Sequence, residues 1–199
     1  MKNNLLFYIV LTCTVLLASC GQQSKKVTHK YQDQPRVVYC KQIDTVLVKE
    51  AFYSFKEDVA SYYNNQGYEK GSLPYYHNGF TKYVNSLIGN NASYNLVASE
   101  HSKKLARELK KHPEIWTIRD GETIPNLESS FLKCITKDID DFPLKALITK
   151  VYQKGSISRE NMLASYYKNV GKVHQDNSFS LFLALDTFYA HLGEETEKE

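Results

Sequence analysis

The sequence predicts an all-α fold, a single-domain bundle of about six or seven helices, and three observations carry that prediction. Apolar residues recur at three- and four-residue steps through most of the chain beyond residue 35, the spacing that lines one face of a helix. Glycine, asparagine and proline interrupt the pattern where short loops would join helices. Only "WTIRDGETIP" holds a turn signal able to join two short strands.

Val48, Phe52, Phe55, Val59 and Tyr62 mark a first helix over about 41–64, broken by Gly67 and Gly71. Phe80, Val84, Leu87 and Ile88 mark a second, ended by Gly89-Asn90-Asn91. Tyr94, Val97, His101, Leu105 and Leu109 read as one continuous third helix, stopped before Pro113. Leu127, Phe131, Ile135 and Ile139 give a fourth. Asp141 is placed to cap a fifth, with Leu144, Leu147, Ile148 and Val151 inside and Gly155 at its end. Ser158 is placed to cap a sixth, with Ile157 and Met162 as a hydrophobic staple. The seventh, "FSLFLALDTFYAHLG", is apolar nearly all round, which predicts burial at the centre of the bundle.

The N-terminus carries a different signal. One lysine, Lys2, precedes an uncharged run from Leu5 to Ala18. As a helix that run would span about 21 Å, short of the roughly 30 Å hydrocarbon core of a bilayer. This is the pattern of a secretory signal. It ends in Leu17-Ala18-Ser19-Cys20, which resembles the lipobox of bacterial lipoproteins. The resemblance implies cleavage of residues 1–19 and acylation of the Cys20 sulfur, with the lipid bilayer as partner. Several acyl chains on one cysteine would make attachment lasting, where a single chain binds only marginally. It implies a location in the cell envelope, facing the periplasm or the exterior. Gly21-Gln22 lacks an aspartate of the kind that retains enterobacterial lipoproteins at the inner membrane, which favours the outer membrane in a host that has one. Residues 20–34 are polar and read as a flexible tether, residues 35–193 as the folded domain, and 194–199 as a frayed tail.

Removing 19 of 199 residues leaves 180, a length suited to one domain. The formal charge of +3 falls to about +2 on losing Lys2, which gives no case for a nucleic-acid partner. Of the four cysteines, Cys13 leaves with the signal and Cys20 is the acylation site, so Cys40 and Cys134 remain. In an oxidising compartment the two can pair; equally, Cys134 falls on the apolar side of its helix, where a buried thiol is ordinary.

Candidate chemistry is sparse. None of the six histidines lies in a helical ligand pair, and Asp138, Asp140 and Asp141 lack the glycine and the terminal acid of a calcium loop. No metal and no cofactor is expected. "NLESSF" and "LASYYKNVGKV" are similar to two motifs of lysozyme-like lytic transglycosylases. The resemblance implies Glu128 as general acid/base and Tyr166 beside the sugar. The Gly-Leu-Met-Gln segment of that family is missing after Glu128, and Tyr167 stands where the later motif has asparagine. Fifteen tyrosines include the adjacent pair Tyr75-Tyr76 in "SLPYYHNGF", a segment suited to recognition because tyrosine is apolar with a polar tip. Lys103, Arg107, Lys110 and Lys111 share a basic helix face suited to an acidic partner. The expectation is therefore a lipid-anchored, non-catalytic binding protein of the envelope, of an immunity, inhibitor or assembly kind, with a protein or cell-wall partner. A peptidoglycan-cleaving enzyme using Glu128 is the alternative.

Overall fold

In the computed structural model, residues 27–40, 43–154 and 159–192 are described. Cys20 and the signal segment, the tether up to Lys26, Gly155, the Ile157–Ser158 cap and the tail from Gly193 lie outside these residues. The described chain is predominantly helical: α1 Thr45–Tyr62, α2 Leu73–Ile88, α3 Tyr94–Val97, α4 Glu100–Leu109, a hairpin of β1 Trp116–Arg119 and β2 Glu122–Pro125, then α5 Ser130–Lys137, α6 Phe142–Lys154, α7 Arg159–Asn169 and α8 Asn177–Leu183. A 3-10 turn, Val170–Lys172, follows α7, and α8 runs on as a π-helical segment, Ala184–Tyr189. No helix among the described residues is long and apolar enough to cross a membrane.

Local chemistry sets the element ends. Asp44 accepts from the amides of Val46 and Leu47 and opens α1; Ser72 does the same for α2 through Tyr75, and Asp141 for α6 through Leu144 at 2.8 Å. Each satisfies an amide that the first helical turn leaves without a partner. In the hairpin, Trp116 faces Pro125 and Arg119 faces Glu122. Asp120 and Gly121 both have positive φ (53° and 84°), the tight turn whose twist matches two antiparallel strands.

The α8 segment is the centre, as its composition predicts: every residue from Ser178 to Ala190 is buried. Helix α1 and strand β2 pack on its π-helical part and α5 on its first turns, while α2 packs on α1 and α7. Helices α1 and α2 cross so closely that a Cβ on Gly79 would lie 2.6 Å from the Cα of Ala60. Cys40 and Cys134 form a disulfide that ties the segment before α1 to α5 across 94 residues.

A polar seam runs through the apolar interior. Glu50, Ser54 and Asp58 stand one turn apart on α1, and all three are buried. Each finds a partner at or near α4. Glu50 meets Nε2 of His101 at 3.0 Å, Ser54 meets the hydroxyl of Ser102 at 2.7 Å, and Asp58 accepts from both the amide and the hydroxyl of Ser99, at 2.8 and 3.0 Å. Tyr189, from the π-helical segment, closes the seam by donating to the carbonyl of Ala51 at 2.8 Å.

Three expectations change. The third predicted helix is two, α3 and α4, because Ser99 leaves the helical path to cap α4 through Ser102 and to meet Asp58. Leu127, in a turn, and Ile139, in irregular chain, flank α5 and do not extend it. The free tether does not reach residue 34: the amides of Lys30 and Tyr31 donate to the Glu50 carboxylate at 2.9 and 2.7 Å, and Tyr31 is buried. Residues 27–34 are therefore a strap fastened to α1.

Two predictions follow from these contacts. Replacing Cys40 and Cys134 by serine, or reducing their bond, will lower unfolding stability by about 2–5 kcal/mol, since the cross-link removes freedom from the unfolded chain; urea titration with and without reductant measures it. Burial pushes the Asp58 carboxyl above its usual range, against the opposing pull of the Ser102 and Ser99 donors. The fold thus binds that proton more tightly than the unfolded chain does. Stability relative to an Asp58→Asn variant will fall as pH rises from the ordinary aspartate range through the raised value. Urea midpoints of both proteins between pH 3 and 7 check the sign; a rising difference is the contrary result.

Candidate binding surface

The residues singled out for catalysis are far apart in environment. Glu128 sits in the turn before α5 with its side chain 75% exposed, paired with Lys133 at 3.3 Å. Tyr166 on α7 has no exposed surface. Its hydroxyl donates to Asp186 of the π-helical segment at 2.7 Å, and Tyr152 donates to the same carboxylate. The implied pairing of Glu128 as general acid/base with Tyr166 beside the sugar is therefore corrected: the two do not share a cleft. Glu128 stands open to solvent outside any cleft, and a sealed tyrosine touches no substrate.

The basic face on α4 is largely spent within the fold. Lys103 pairs with Glu100 at 2.9 Å and Lys111 with Glu108 at 2.7 Å. Lys110, beyond the helix end, donates to the carbonyl of Leu192 at 2.8 Å. Arg107 stays exposed. Tyr75 is buried, and its neighbour Tyr76 is half-buried with its ring edge-on to it at 5.2 Å.

Two surface cavities are already furnished with internal partners. One of about 360 Å³ lies between the strap and α1, lined by His29, Asp44, Glu50, Glu108 and His112 among others. Its acids are committed: Asp44 to the α1 cap, Glu50 to the strap and His101, Glu108 to Lys111. The other, about 350 Å³, is walled by Asp140, Asp141, Phe142, Lys172 and Asp176. There Asp141 pairs with Lys172 at 2.7 Å, and Asp176 holds the amides of Asp140 and Phe179. No group of three metal-capable side chains forms among the described residues.

What the fold gathers is a face around Tyr76. Lys56 of α1 places its ammonium 5.0 Å from the Phe52 ring centre and 5.1 Å from that of Tyr76. Burial pulls its pKa down. His174, in the turn after α7, is also held low, first by burial and then by the positive field of Lys56 and His77. His77 of α2 lies over Gly171, where an added Cβ would be 3.8 Å from its Cε1. Tyr53 borders the face, its ring edge-on to Phe52 at 4.9 Å and its hydroxyl on the carbonyl of Pro35 at 3.2 Å. The nearest acid along α1, Glu57, is bound to Lys70 and to the Tyr31 hydroxyl.

The segment "SLPYYHNGF" contributes Tyr76 and His77 to this face, so one part was visible in the sequence. Lys56 and His174 were not: they are 118 positions apart, and each alone reads as a solvated surface residue. The one available hint was Lys56 at the fourth position after Phe52, on the edge of an apolar stripe.

Comparison with protein-family models, with curated proteins and with solved structures finds no match to this chain.

The burial pattern separates two substitutions sharply. Tyr166→Phe will cost about 1–3 kcal/mol by leaving a buried carboxylate short of one donor. Glu128→Gln will stay within about 0.5 kcal/mol, as exposed ion pairs do. Paired urea melts read both; equal costs would contradict the placement of these residues.

Proposed function

We propose that this chain is a lipid-anchored protein of the bacterial cell envelope, and that its helical domain is a non-catalytic binding module of an immunity, inhibitor or assembly kind. The anchor rests on Leu17-Ala18-Ser19-Cys20 behind a short uncharged run. The observation that carries the binding reading is the half-withdrawn Lys56 ammonium, set over the rings of Phe52 and Tyr76 at 5.0 and 5.1 Å. Surfaces that pair aromatic rings with unspent charge suit recognition of a partner. The peptidoglycan-cleaving alternative is not carried forward, because Glu128 is open to solvent and Tyr166 is sealed.

The strap sharpens the geometry of anchoring. With folded contacts starting at Val27, only the six residues 21–26 lie between acylated Cys20 and the domain. The seven Cα-to-Cα steps from Cys20 to Val27 reach at most about 25 Å. The domain would ride close to the headgroups, and its partner would be one that approaches the membrane surface.

Palmitate labelling of cells producing the protein tests the anchor. Label on the wild type and none on Cys20→Ala is the expected outcome, with the variant released from the membrane fraction. Label that persists on the variant rejects the assignment. Chemical cross-linking in intact envelopes, with Lys56→Met beside the wild type, tests the binding reading. A cross-linked product dependent on Lys56 supports it, and identical patterns from both proteins count against it.

A further inference from the structure

We propose that the acidic segment 193–199 docks on the basic face of α4 and acts there as a built-in competitor for an acidic peptide segment of a partner. The inference goes beyond the Lys56 surface and does not depend on the anchor.

Three observations lead there. First, α4 and the residues just past it concentrate charge of one sign. From Glu100 to Lys111 the chain carries five cations, Lys103, Lys104, Arg107, Lys110 and Lys111, against two carboxylates, Glu100 and Glu108. The four lysines stand at the third and fourth positions on either side of exposed Arg107. Residues so spaced are neighbours on a helix surface, and like charges there repel. Lys110, the cap, keeps helical dihedrals at φ −63° and ψ −15°. Glu100 and Glu108 offset Lys103 and Lys111, while the bond of Lys110 to a neutral carbonyl cancels no charge.

Second, the chain leaves the described fold at this face. The Leu192 carbonyl accepts from Lys110 Nζ at 2.8 Å, and the Leu192 amide donates to the carbonyl of Phe188 at 3.1 Å. His191 stacks on Tyr94 at 5.0 Å. These contacts fix the exit beside the C-terminal end of α4. Third, the sequence that follows is complementary. Residues 193–199 read "GEETEKE", four glutamates and one lysine, the kind of charge block that serves as an interaction tail. Seven residues reach up to about 25 Å, whereas Lys103 and Lys110 are only about 10 Å apart along a helix axis. From Leu192 the segment is long enough to run back over α4 and set its glutamates against Lys104 and Arg107.

Because the segment belongs to the same chain, its effective concentration at the face is high, on the order of millimolar for a short link. A partner's acidic segment must displace it. The contact is exposed and ionic, so salt weakens it.

Carbodiimide coupling of the full chain, as the cell processes it and in a nonionic detergent, tests the docking. The reagent joins a carboxylate to a lysine amine only where the two touch, and mass spectrometry of the monomer reads the pairs. The expected pairs join Glu195, Glu197 or Glu199 to Lys103 or Lys104. Their yield falls at least about fivefold in 0.5 M salt, and as far in Arg107→Glu, an exposed position whose reversal leaves the core intact. Lys110 is left out of the score, since it lies at the exit and couples from any path of the segment. Equal yields at Lys133 on α5, or yields that neither salt nor Arg107→Glu lowers, overturn the docking. A labelled peptide Glu-Glu-Thr-Glu-Lys-Glu then tests the competition. It is expected to bind the variant carrying Glu194→Gln, Glu195→Gln, Glu197→Gln and Glu199→Gln at least about tenfold tighter than the wild type, whose own segment holds the face. Equal binding, or binding to neither, overturns the competitor role.

Discussion

Glu50, Ser54 and Asp58 repeat at every fourth position of α1, on the side that the core covers. The rest of the architecture depends on their being matched. A buried carboxylate or hydroxyl without a partner costs more than its bond contributes when formed, so α1 has one setting in which His101, Ser102 and Ser99 all reach it. That setting fixes the register of α4 against α1. It also places the Asp58 carboxylate at the start of α4, where helix amides favour negative charge. Apolar packing alone would tolerate a sliding of one helix past the other; three spaced polar matches do not.

Two consequences reach the surface. Glu50 has capacity beyond His101 and uses it on the amides of Lys30 and Tyr31, so the seam extends outward to hold the strap. With its polar stripe turned inward, α1 leaves Lys56 on another side, where it meets Tyr76. The candidate site and the strap are thus two results of how one helix is oriented. The proposed anchor would transmit through the strap, since the chain leaving the membrane would enter the domain at the residues that Glu50 holds.

The fold class was legible because amphipathic spacing is a property of each segment alone. The core side of α1, the central burial of α8 and the Asp120-Gly121 hairpin could all be read that way. The seam could not. Glu50 and Asp58 carry the composition of a solvated face, and it takes His101 and Ser99, 51 and 41 residues on, with the strap amides 19 and 20 residues back, to reverse that. The same blindness made α3 and α4 one helix, since apolar spacing continues through Ala98 and Ser99 while Asp58 draws the backbone aside. Tyr166 read as a site residue for want of knowing that Asp186, inside an otherwise apolar helix, needed its hydroxyl. Among the surface residues, Lys103 and Lys111 had their neutralising glutamates three positions away in plain view, whereas the setting of Lys56 over the Tyr76 ring is purely tertiary.

Amide hydrogen exchange at Lys30, Tyr31 and Ser99 addresses the central claim most directly, because each of these amides donates to a carboxylate of the seam. The account predicts exchange slowed by orders of magnitude at all three, with Lys30 and Tyr31 losing protection in Glu50→Ala while the amides of Gln32 and Asp33 are little changed. Free-peptide exchange rates at Lys30 and Tyr31 in the wild-type protein would contradict it, and would return residues 27–34 to the tether.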